Sequence, residues 1–328
     1  MEKLGSYELT GHLTAQNGGY SVWGFGRKNG RNYFLKQFLS PKYPENDTIS
    51  SPASIEKRKR RCESFQQKKA ALYERIDQNS DGNAVRIEEF FRVENKYYIS
   101  MRKIDSLDWR VEDVVALPEK DKRFLCSVIA HGISGLHKGH VVHADLKHDN
   151  ILFMRSSFGV VTAKIIDFDS GFLESDPPAE GEEIVGDLVY FSPEACKHFW
   201  GEAPVLTCKM DVFALGVLFH QYFSGKLPGF DPSLGHYTGE AVAKGGSVTV
   251  AADIPEDVRV LLQKMLDADP ANRPSATEVY ALFAGRTLSE IQKEEAGSVP
   301  APPTPKPPVS ESTSPISGSS FFRRPGDL

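Results

Sequence analysis

Two kinds of hydrophobic pattern divide the chain. Near the start, apolar and polar residues alternate in three runs, Tyr7–Leu13, Ser21–Lys28 and Arg31–Phe38, which are rich in aromatic and β-branched residues. Such runs predict strands. Asn29 and Gly30 separate the last two runs, and this pair favours a tight turn because both positions need a positive φ angle. The pattern therefore predicts a β-hairpin at this point.

A helix and two more strands are predicted before residue 105. Residues 53–76 follow a proline-containing loop and carry apolar side chains at helical spacing, with Phe65, Leu72 and Ile76 on one face. Residues 77–83 are predicted as a polar turn, and Val85–Val93 and Lys96–Ile104 as strands.

Helical patterns dominate from residue 105 onward. The longest are Lys120–His137, Met210–Phe223 and Pro255–Leu266, with strand-like pieces at Ile151–Met154 and Val161–Ile166 between them. A sheet-rich first part and a helical second part predict an α+β protein. We expect one domain at residues 1–104 and a second at 105–290.

The composition changes after about Glu294. Val299–Pro308 contains six prolines, and Ser310–Ser320 is mostly Ser, Thr and Gly. Such a segment buries too little apolar surface to offset its ordering entropy, so residues 291–328 are predicted to be a disordered tail. As a polyproline helix, Pro302–Pro308 would suit a partner domain of the SH3 or WW type; a plain linker is the alternative.

Charge and cysteine content exclude several classes of protein. The 328 residues carry a net charge of −5, which argues against a broad surface for nucleic acid or for anionic membranes. The four cysteines are scattered without a C-x-x-C pair, which fits a reducing compartment. No apolar signal region or membrane-length apolar stretch is present, so a cytoplasmic protein is expected.

The strongest chemical signal lies at residues 143–150, His-Ala-Asp-Leu-Lys-His-Asp-Asn. Phosphoryl transfer needs a carboxylate that orients the attacking hydroxyl, a cation near the moving phosphate, and oxygen ligands for Mg²⁺. Asp145, Lys147 and Asn150 supply these three groups. The segment resembles the catalytic loop of protein kinases, H-R-D-L-K-x-x-N.

Further motifs resemble the same family in the same order. Residues 167–169, Asp-Phe-Asp, resemble the kinase D-F-G, whose aspartate binds the Mg²⁺ that bridges the ATP phosphates. Asp169 stands where glycine is usual, and we expect a cost on the order of 1 kcal/mol for a left-handed backbone there, with less freedom to swing out. Whether Asp169 approaches the metal or faces solvent stays open.

Three segments resemble kinase motifs that have structural roles: Gly186–Glu194, Asp211–Val217 and Asp269–Pro274. The resemblance implies a buried pair between Glu194 and Arg273. It also implies that Asp211 holds the backbone of the catalytic loop.

The resemblance implies an ATP site in the first domain. Lys36 would hold the phosphates, Met101 would be the gatekeeper, and the backbone of Lys103 would face the adenine. Phe34, where alanine is usual, would crowd the adenine. The partner of Lys36 would be Glu63 or Glu74, and Glu63 is preferred.

The nucleotide loop departs from the family pattern. Gly18 and Gly19 would allow close approach of the backbone to phosphate oxygens, and Tyr20 would cover the tip of the loop.

Two departures concern regulation. Ala144 replaces the arginine that in most kinases pairs with a phosphate on the activation segment, here residues 167–194. We therefore expect activity without phosphorylation of this segment. Asp187 replaces a threonine that contacts the catalytic aspartate, and its carboxylate is expected to repel Asp145.

Together these motifs resemble an atypical eukaryotic-like (Hanks-type) Ser/Thr protein kinase with a two-lobed fold, of a kind similar to soluble bacterial members. This implies ATP and Mg²⁺ as cofactors and a protein substrate with Ser or Thr acceptors. Two alternatives stay open. One is a pseudokinase scaffold, and the other is a phosphotransferase for small molecules.

Overall fold

The computed structural model of the chain describes residues 2–15, 21–45, 47–287, 289–290 and 293. These residues form two compact units. The first contains residues 2–70 and 87–103 with the described residues after 286, and the second contains residues 71–86 and 104–286. The segment 71–86 therefore belongs to the second unit, whereas the sequence placed it in the first domain. The predicted tail, except Lys293, lies outside the described residues.

An antiparallel six-stranded sheet forms the centre of the first unit. Its elements in chain order are β1 (Lys3–Leu4), β2 (Tyr7–Leu9), β3 (Ser21–Lys28), β4 (Arg31–Phe38), α1 (Pro52–Asn79, which continues into the second unit), β5 (Ile87–Val93) and β6 (Lys96–Arg102). The strand order is β1-β2-β3-β4-β6-β5. β3 and β4 have the predicted bounds, and Asn29 and Gly30 between them have positive φ angles of 51° and 74°.

β2 ends four residues before the predicted end at Leu13. Thr10, Gly11 and His12 are all exposed, so the alternation that marks a half-buried strand stops after Leu9.

Helix α1 is longer than predicted at both ends. Pro52 is its first residue, a position where the missing N–H costs nothing. The helix continues to Asn79 and shortens the predicted polar turn. Backbone hydrogen bonds then join the following residues to the second unit: the Val85 amide donates to Ile165 O at 2.8 Å, and the Ile165 amide donates to Asn83 O at 2.8 Å. These bonds explain why residues 71–86 belong to that unit.

The second unit is mainly helical. Its elements are α2 (Val111–Val115), α3 (Glu119–Lys138), β7 (Val141–Val142), β8 (Ile151–Arg155), β9 (Val161–Ile165), β10 (Phe172–Leu173), α4 (Pro193–Phe199), α5 (Lys209–Ser224), α6 (Thr238–Ala243), α7 (Glu256–Met265) and α8 (Ala276–Phe283). α5 is buried on nearly every side, and α3 packs between α5 and α8. β8 pairs with β9, and β7 with β10.

A sheet-rich unit and a helical unit confirm the α+β prediction. Among the described residues, no helix has the length and apolar character needed to cross a membrane.

Candidate active site

Asp145 lies at the centre of a hydrogen-bonded cluster in the loop between β7 and β8. Lys147 Nζ donates to both of its carboxylate oxygens, at 3.2 Å to Oδ1 and 3.0 Å to Oδ2. Asn150 Nδ2 donates to Asp145 Oδ2 at 2.9 Å and to its main-chain oxygen at 2.7 Å. The structure thus brings together the three residues that the sequence assigned to catalysis, and it fixes the orientation of the carboxylate.

Helix α5 holds the backbone of this loop in place. Asp211, buried on α5, accepts hydrogen bonds from the His143 amide at 2.8 Å and the Ala144 amide at 2.9 Å. His137 Nε2 donates to the same carboxylate at 3.0 Å. Ala144 has a φ angle of 64°, a left-handed conformation that costs energy for any residue with a Cβ atom. The predicted role of Asp211 is confirmed, since its two bonds stabilise this strained backbone.

The β8–β9 hairpin brings Asn150 and Asp167 to the same end of two paired strands. Ile151 lies opposite Ile165, and the Ile166 amide donates to Asn150 O at 3.0 Å. Asp167 follows directly, with a φ angle of 66°. Strand pairing therefore joins two residues that are well separated in the sequence.

These two residues fit the Mg²⁺ that the resemblance implies. Both acceptors of Asn150 Nδ2 are oxygens, so the amide must present its NH₂ group to Asp145 and its Oδ1 elsewhere. Within the described ranges no group of three His, Cys, Asp or Glu side chains is arranged around a metal. Mg²⁺ commonly binds one or two protein oxygens and completes its shell with substrate phosphates and water. Asn150 Oδ1 and the Asp167 carboxylate suit that kind of binding.

The left-handed residue of the 167–169 motif is Asp167, not Asp169. Asp169 has no positive φ angle, so the predicted cost of replacing glycine at this position does not arise in this conformation. The Asp169 amide lies 3.4 Å from Asp167 Oδ1. The expectation was wrong because it assigned the turn to the third residue of the motif, whereas the chain turns at the first.

His143 and Phe168 connect the catalytic loop to this motif. The buried Phe168 ring packs on the His143 ring with centroids 5.1 Å apart. His143 Nε2 donates to Ile166 O at 2.9 Å, while Nδ1 accepts from the Asp145 amide at 3.3 Å. The histidine thus links the catalytic loop to the 167–169 motif through both ring nitrogens.

Asp187 contacts Asp145 through the Asp187 backbone amide. Its amide donates to Asp145 Oδ1 at 3.0 Å. The Asp187 side chain instead accepts from the Val189 amide at 3.0 Å, a local turn that aspartate commonly makes. The prediction that Asp187 would repel Asp145 did not take this turn into account. In the turn, the Asp187 carboxylate has a backbone donor of its own.

A buried ion pair confirms the predicted partnership of Glu194 and Arg273. Arg273 donates to both carboxylate oxygens, with Nη1 at 2.6 Å from Oε1 and Nη2 at 2.9 Å from Oε2. Arg273 also donates to the main-chain oxygens of Asp267 at 2.8 Å and Lys209 at 2.9 Å. The pair joins α4 to the start of α5 and to the loop before α8.

Glu174 anchors the activation segment, a role that sequence analysis did not predict. Its Oε1 accepts from the Cys208 amide at 2.8 Å, and His140 Nδ1 donates to Oε2 at 2.8 Å. Burial raises the pKa of the Glu174 carboxyl, but the hydrogen bonds from Cys208 and His140 outweigh burial and leave the pKa below its usual value. Only the fold brings these three chain segments together, so no sequence pattern could indicate the anchor.

In the first unit, an aromatic group shares one face of the sheet with Lys36. Trp23 lies opposite Lys36, Phe25 opposite Phe34, and Phe34 opposite Met101. Residues opposite each other on paired strands point to the same side. The Phe34 ring stacks on Trp23 with centroids 5.6 Å apart and meets Phe25 edge-on at 5.8 Å. Phe34 is therefore part of an aromatic layer beside the buried lysine.

The predicted partner of Lys36 is not found at Glu63. Glu63 is exposed on α1 and forms no ion pair with any residue that the structure describes. Glu74 is also exposed and accepts from Gln78 one turn away. The helical pattern identified the buried face of α1 but not which residues lie at the boundary of that face. The buried charged residue on α1 is Lys69.

The remaining predicted ATP residues are only partly described. The Lys103 amide donates to Asn32 O at 3.1 Å, and the side-chain Nζ of Lys103 lies 5.3 Å from the Phe25 ring centroid. The predictions for Gly18, Gly19 and Tyr20 fall outside the described residues.

Comparison with known proteins gives a consistent result. Residues 54–282 match the model of a family described as the protein kinase domain. MAP kinase-interacting serine/threonine-protein kinase 2 of Xenopus laevis is 31% identical over 163 residues, 47% of this chain and 34% of that protein. The human SNF-related serine/threonine-protein kinase is 29% identical over 203 residues, 60% of this chain and 25% of that protein.

A bacterial protein is also similar. Serine/threonine-protein kinase A of Synechocystis is 26% identical over 208 residues, 59% of this chain and 37% of that protein. The chain thus spans well under half of the length of each of these three relatives.

Proposed function

Because this chain belongs to the protein kinase family, we propose that it transfers the γ-phosphoryl group of ATP to a serine or threonine hydroxyl of a protein substrate. The observation that carries the proposal is the cluster around Asp145, whose carboxylate is oriented by Lys147, Asn150 and the Asp187 amide. The names of the relatives above and the lysine at position 147 favour Ser or Thr over Tyr as the acceptor.

Asp145 would act on the acceptor hydroxyl. Its carboxylate orients the hydroxyl and takes up the proton as the hydroxyl oxygen forms its bond to the γ-phosphorus. The bond from that phosphorus to the bridging oxygen breaks, and the electron pair leaves with ADP. Lys147 places a positive charge next to Asp145, where negative charge moves between the phosphate oxygens.

ATP is the co-substrate in this proposal. Lys36 would hold its phosphates, and Met101, Lys103 and the 18–20 loop would surround the nucleotide, as the family resemblance implies. Mg²⁺, held by Asn150 and Asp167, would neutralise charge on the phosphates.

The direct test is an assay with Mg²⁺ and labelled ATP, with a generic basic protein as acceptor. Wild type should label the protein, and Asp145→Asn should lose at least about 10²-fold in rate, the usual contribution of a general base. The matched control is Asp121→Asn, an exposed aspartate on α3, which should leave the rate unchanged. Equal rates for wild type and Asp145→Asn would rule out this mechanism. Labelling of a small aminoglycoside in place of the protein would favour the small-molecule alternative.

We further propose that the activation segment does not need phosphorylation. Ala144, which replaces the usual arginine, offers no cation for a phosphate and packs against an apolar cluster. The hydroxyl side chains of the segment belong to Ser170, Ser175, Tyr190 and Ser192; Ser192 is buried and caps the start of α4, which leaves the first three as candidate acceptors. The Tyr190 hydroxyl already donates to Gln221 Oε1 at 2.9 Å, and burial together with Asp187 and Asp149 raises its pKa to about 12. A Ser170→Ala, Ser175→Ala double variant should keep its activity, and a collapse of activity would refute this.

Autophosphorylation is a further part of the proposal, supported by sequence alone. Thr304 and Ser314, each followed by proline, are the expected acceptors. Phosphosite mapping after incubation with ATP should find phosphate there in wild type and none in the Asp145→Asn variant. The stretch Pro302–Pro308 would in turn offer a ligand to a partner domain of the SH3 or WW type.

A further inference from the structure

We propose that Ile184 is a positioning residue for catalysis: its buried side chain holds the activation segment so that the Asp187 amide stays on Asp145 Oδ1. This inference rests on the proposed function, because its consequence is measured on the same Asp145. In this proposal, an apolar side chain holds the activation segment in place, as a phosphate on the segment would otherwise do.

Ile184 is an isolated apolar anchor in an exposed stretch. Glu182, Glu183 and Val185 around it are all exposed, whereas Ile184 is 6% exposed. It belongs to an apolar cluster whose other members come from β7, β10, α4, α5 and the loops between them: Val142, Phe172, Phe191, Ala195, Cys196, Leu206 and Met210. Burial of one side chain therefore joins the middle of the activation segment to several elements of the second unit.

A short path leads from Ile184 to the reacting carboxylate. Two residues later, Gly186 passes so close to the catalytic loop that a Cβ atom there would lie 2.6 Å from a Phe191 ring carbon and 3.1 Å from Ala144 O. The next amide, that of Asp187, donates to Asp145 Oδ1 at 3.0 Å. Only Val185 and Gly186 separate the buried isoleucine from this bond, and Gly186 is packed closely against the catalytic loop, so a shift of Ile184 displaces the donor.

The same cluster contacts the catalytic loop directly. Ala144, the left-handed residue next to Asp145, packs against it. The apolar side of this loop therefore rests on the surface that holds Ile184. Glu174 ties the start of the activation segment to Cys208 and His140, and His198 Nε2 donates to Glu182 O at 2.7 Å. Ile184 follows both polar anchors along the chain and supplies an apolar one.

The test uses two adjacent residues with opposite exposure. Ile184→Ser removes the buried anchor, and Val185→Ser makes a similar change at a side chain that is 42% exposed. In the full chain, Ile184→Ser should lower kcat at least about tenfold, since small displacements of a catalytic group cost that much or more. The KM for ATP should stay within about twofold, because the nucleotide-holding residues are untouched. Val185→Ser should behave as wild type, and Ile184→Val should recover most of the lost kcat.

Amide hydrogen exchange of the peptide covering residues 183–191 gives a second readout that needs no activity. Ile184→Ser should speed exchange in this peptide, and Val185→Ser should not. If Ile184→Ser lowers the thermal midpoint, Ile184→Ala is measured at a temperature where it stays folded, and the same kcat loss is expected.

The outcomes separate the two proposals. Wild-type kcat and wild-type exchange in Ile184→Ser would overturn the positioning role, as would equal losses in Ile184→Ser and Val185→Ser. An inactive wild type that still shows the exchange contrast would refute the proposed activity and leave Ile184 as the anchor of the segment.

Discussion

Arg273 donates to both carboxylate oxygens of Glu194 while neither side chain is more than 5% exposed. Desolvation of two charges is costly, and their attraction offsets it only when geometry is good and the remaining donors are also satisfied. Arg273 meets this condition, since it also donates to the main-chain oxygens of Asp267 and Lys209.

Loss of one partner of this pair should be strongly destabilising. Arg273→Met leaves Glu194 buried without its cation, and we expect a loss of about 3–5 kcal/mol in the free energy of unfolding. Arg123 offers a matched control, because it also binds a carboxylate through two nitrogens, at 2.7 and 2.8 Å from Asp257, but that partner is mostly exposed. Arg123→Met should cost about 1 kcal/mol or less. Urea unfolding checks both, and equal losses would contradict the role of burial.

Asp211 should matter for turnover. In Asp211→Asn the amide oxygen can accept from the His143 amide or the Ala144 amide, but the NH₂ group faces the other as donor against donor. The strained Ala144 then relaxes, and Asp145 moves with it. We expect kcat to fall by about 10²-fold with a small change in the KM for ATP.

The control for that variant is Asn272→Ala, a polar residue on an exposed turn. It should leave kcat unchanged. A wild-type kcat in Asp211→Asn would show that the two amide bonds do not set the position of Asp145.

Phe34 should limit the space for the nucleotide base. It is stacked on Trp23 on the face of the sheet that carries Lys36, at a position where the family usually has alanine. Phe34→Ala should let the enzyme use ATP analogues with a bulky N6 substituent, which wild type should reject. Phe158→Ala, at a side chain that is 92% exposed, should keep the wild-type preference. Rejection of the analogues by both variants would mean that Phe34 does not line the base site.

The stabilising effect of Glu174 should depend on pH. Its pKa in the folded chain lies below the usual value of 4.5, because the Cys208 amide and His140 together outweigh the opposing effect of burial. A carboxyl with a depressed pKa stabilises the fold above its unfolded-state pKa and loses that contribution as pH falls through the folded-state pKa. Glu174→Gln should therefore be less stable than wild type at pH 7, by about 1 kcal/mol for the weakened hydrogen bonds.

Unfolding measured from pH 7 downward checks this. The difference between wild type and Glu174→Gln should be constant at neutral pH and shrink below about pH 4.5. Glu183→Gln, at an exposed glutamate of the same segment, should show no difference at any pH. A Glu174→Gln difference that does not change with pH would contradict the role of its charge.

Much of the catalytic centre followed from local sequence. Asp145, Lys147 and Asn150 lie within six consecutive residues, so any compact loop brings them close. The β3–β4 hairpin also followed, because Asn29 and Gly30 accept the positive φ angles that the turn needs.

Predictions that depended on the direction of one side chain were less secure. Glu63 lies next to the buried Cys62 on α1, and one step of about 100° around the helix places it in solvent. Asp187 points its carboxylate to a backbone amide in its own turn. A residue type and its spacing do not specify such rotations, because neighbours from distant parts of the chain decide them.

By itself, the sequence indicated most of the longer strands and helices and the set of polar groups available for phosphoryl transfer. These depend on side-chain periodicity and on chemistry within a few residues. Tertiary structure alone decided that Asp167, not Asp169, has the left-handed backbone, that Glu174 binds the start of α5, and that Ile184 is buried while Val185 is exposed. Each of these results from packing between segments far apart in the chain, and local sequence patterns carry no information about which distant surface a residue will meet.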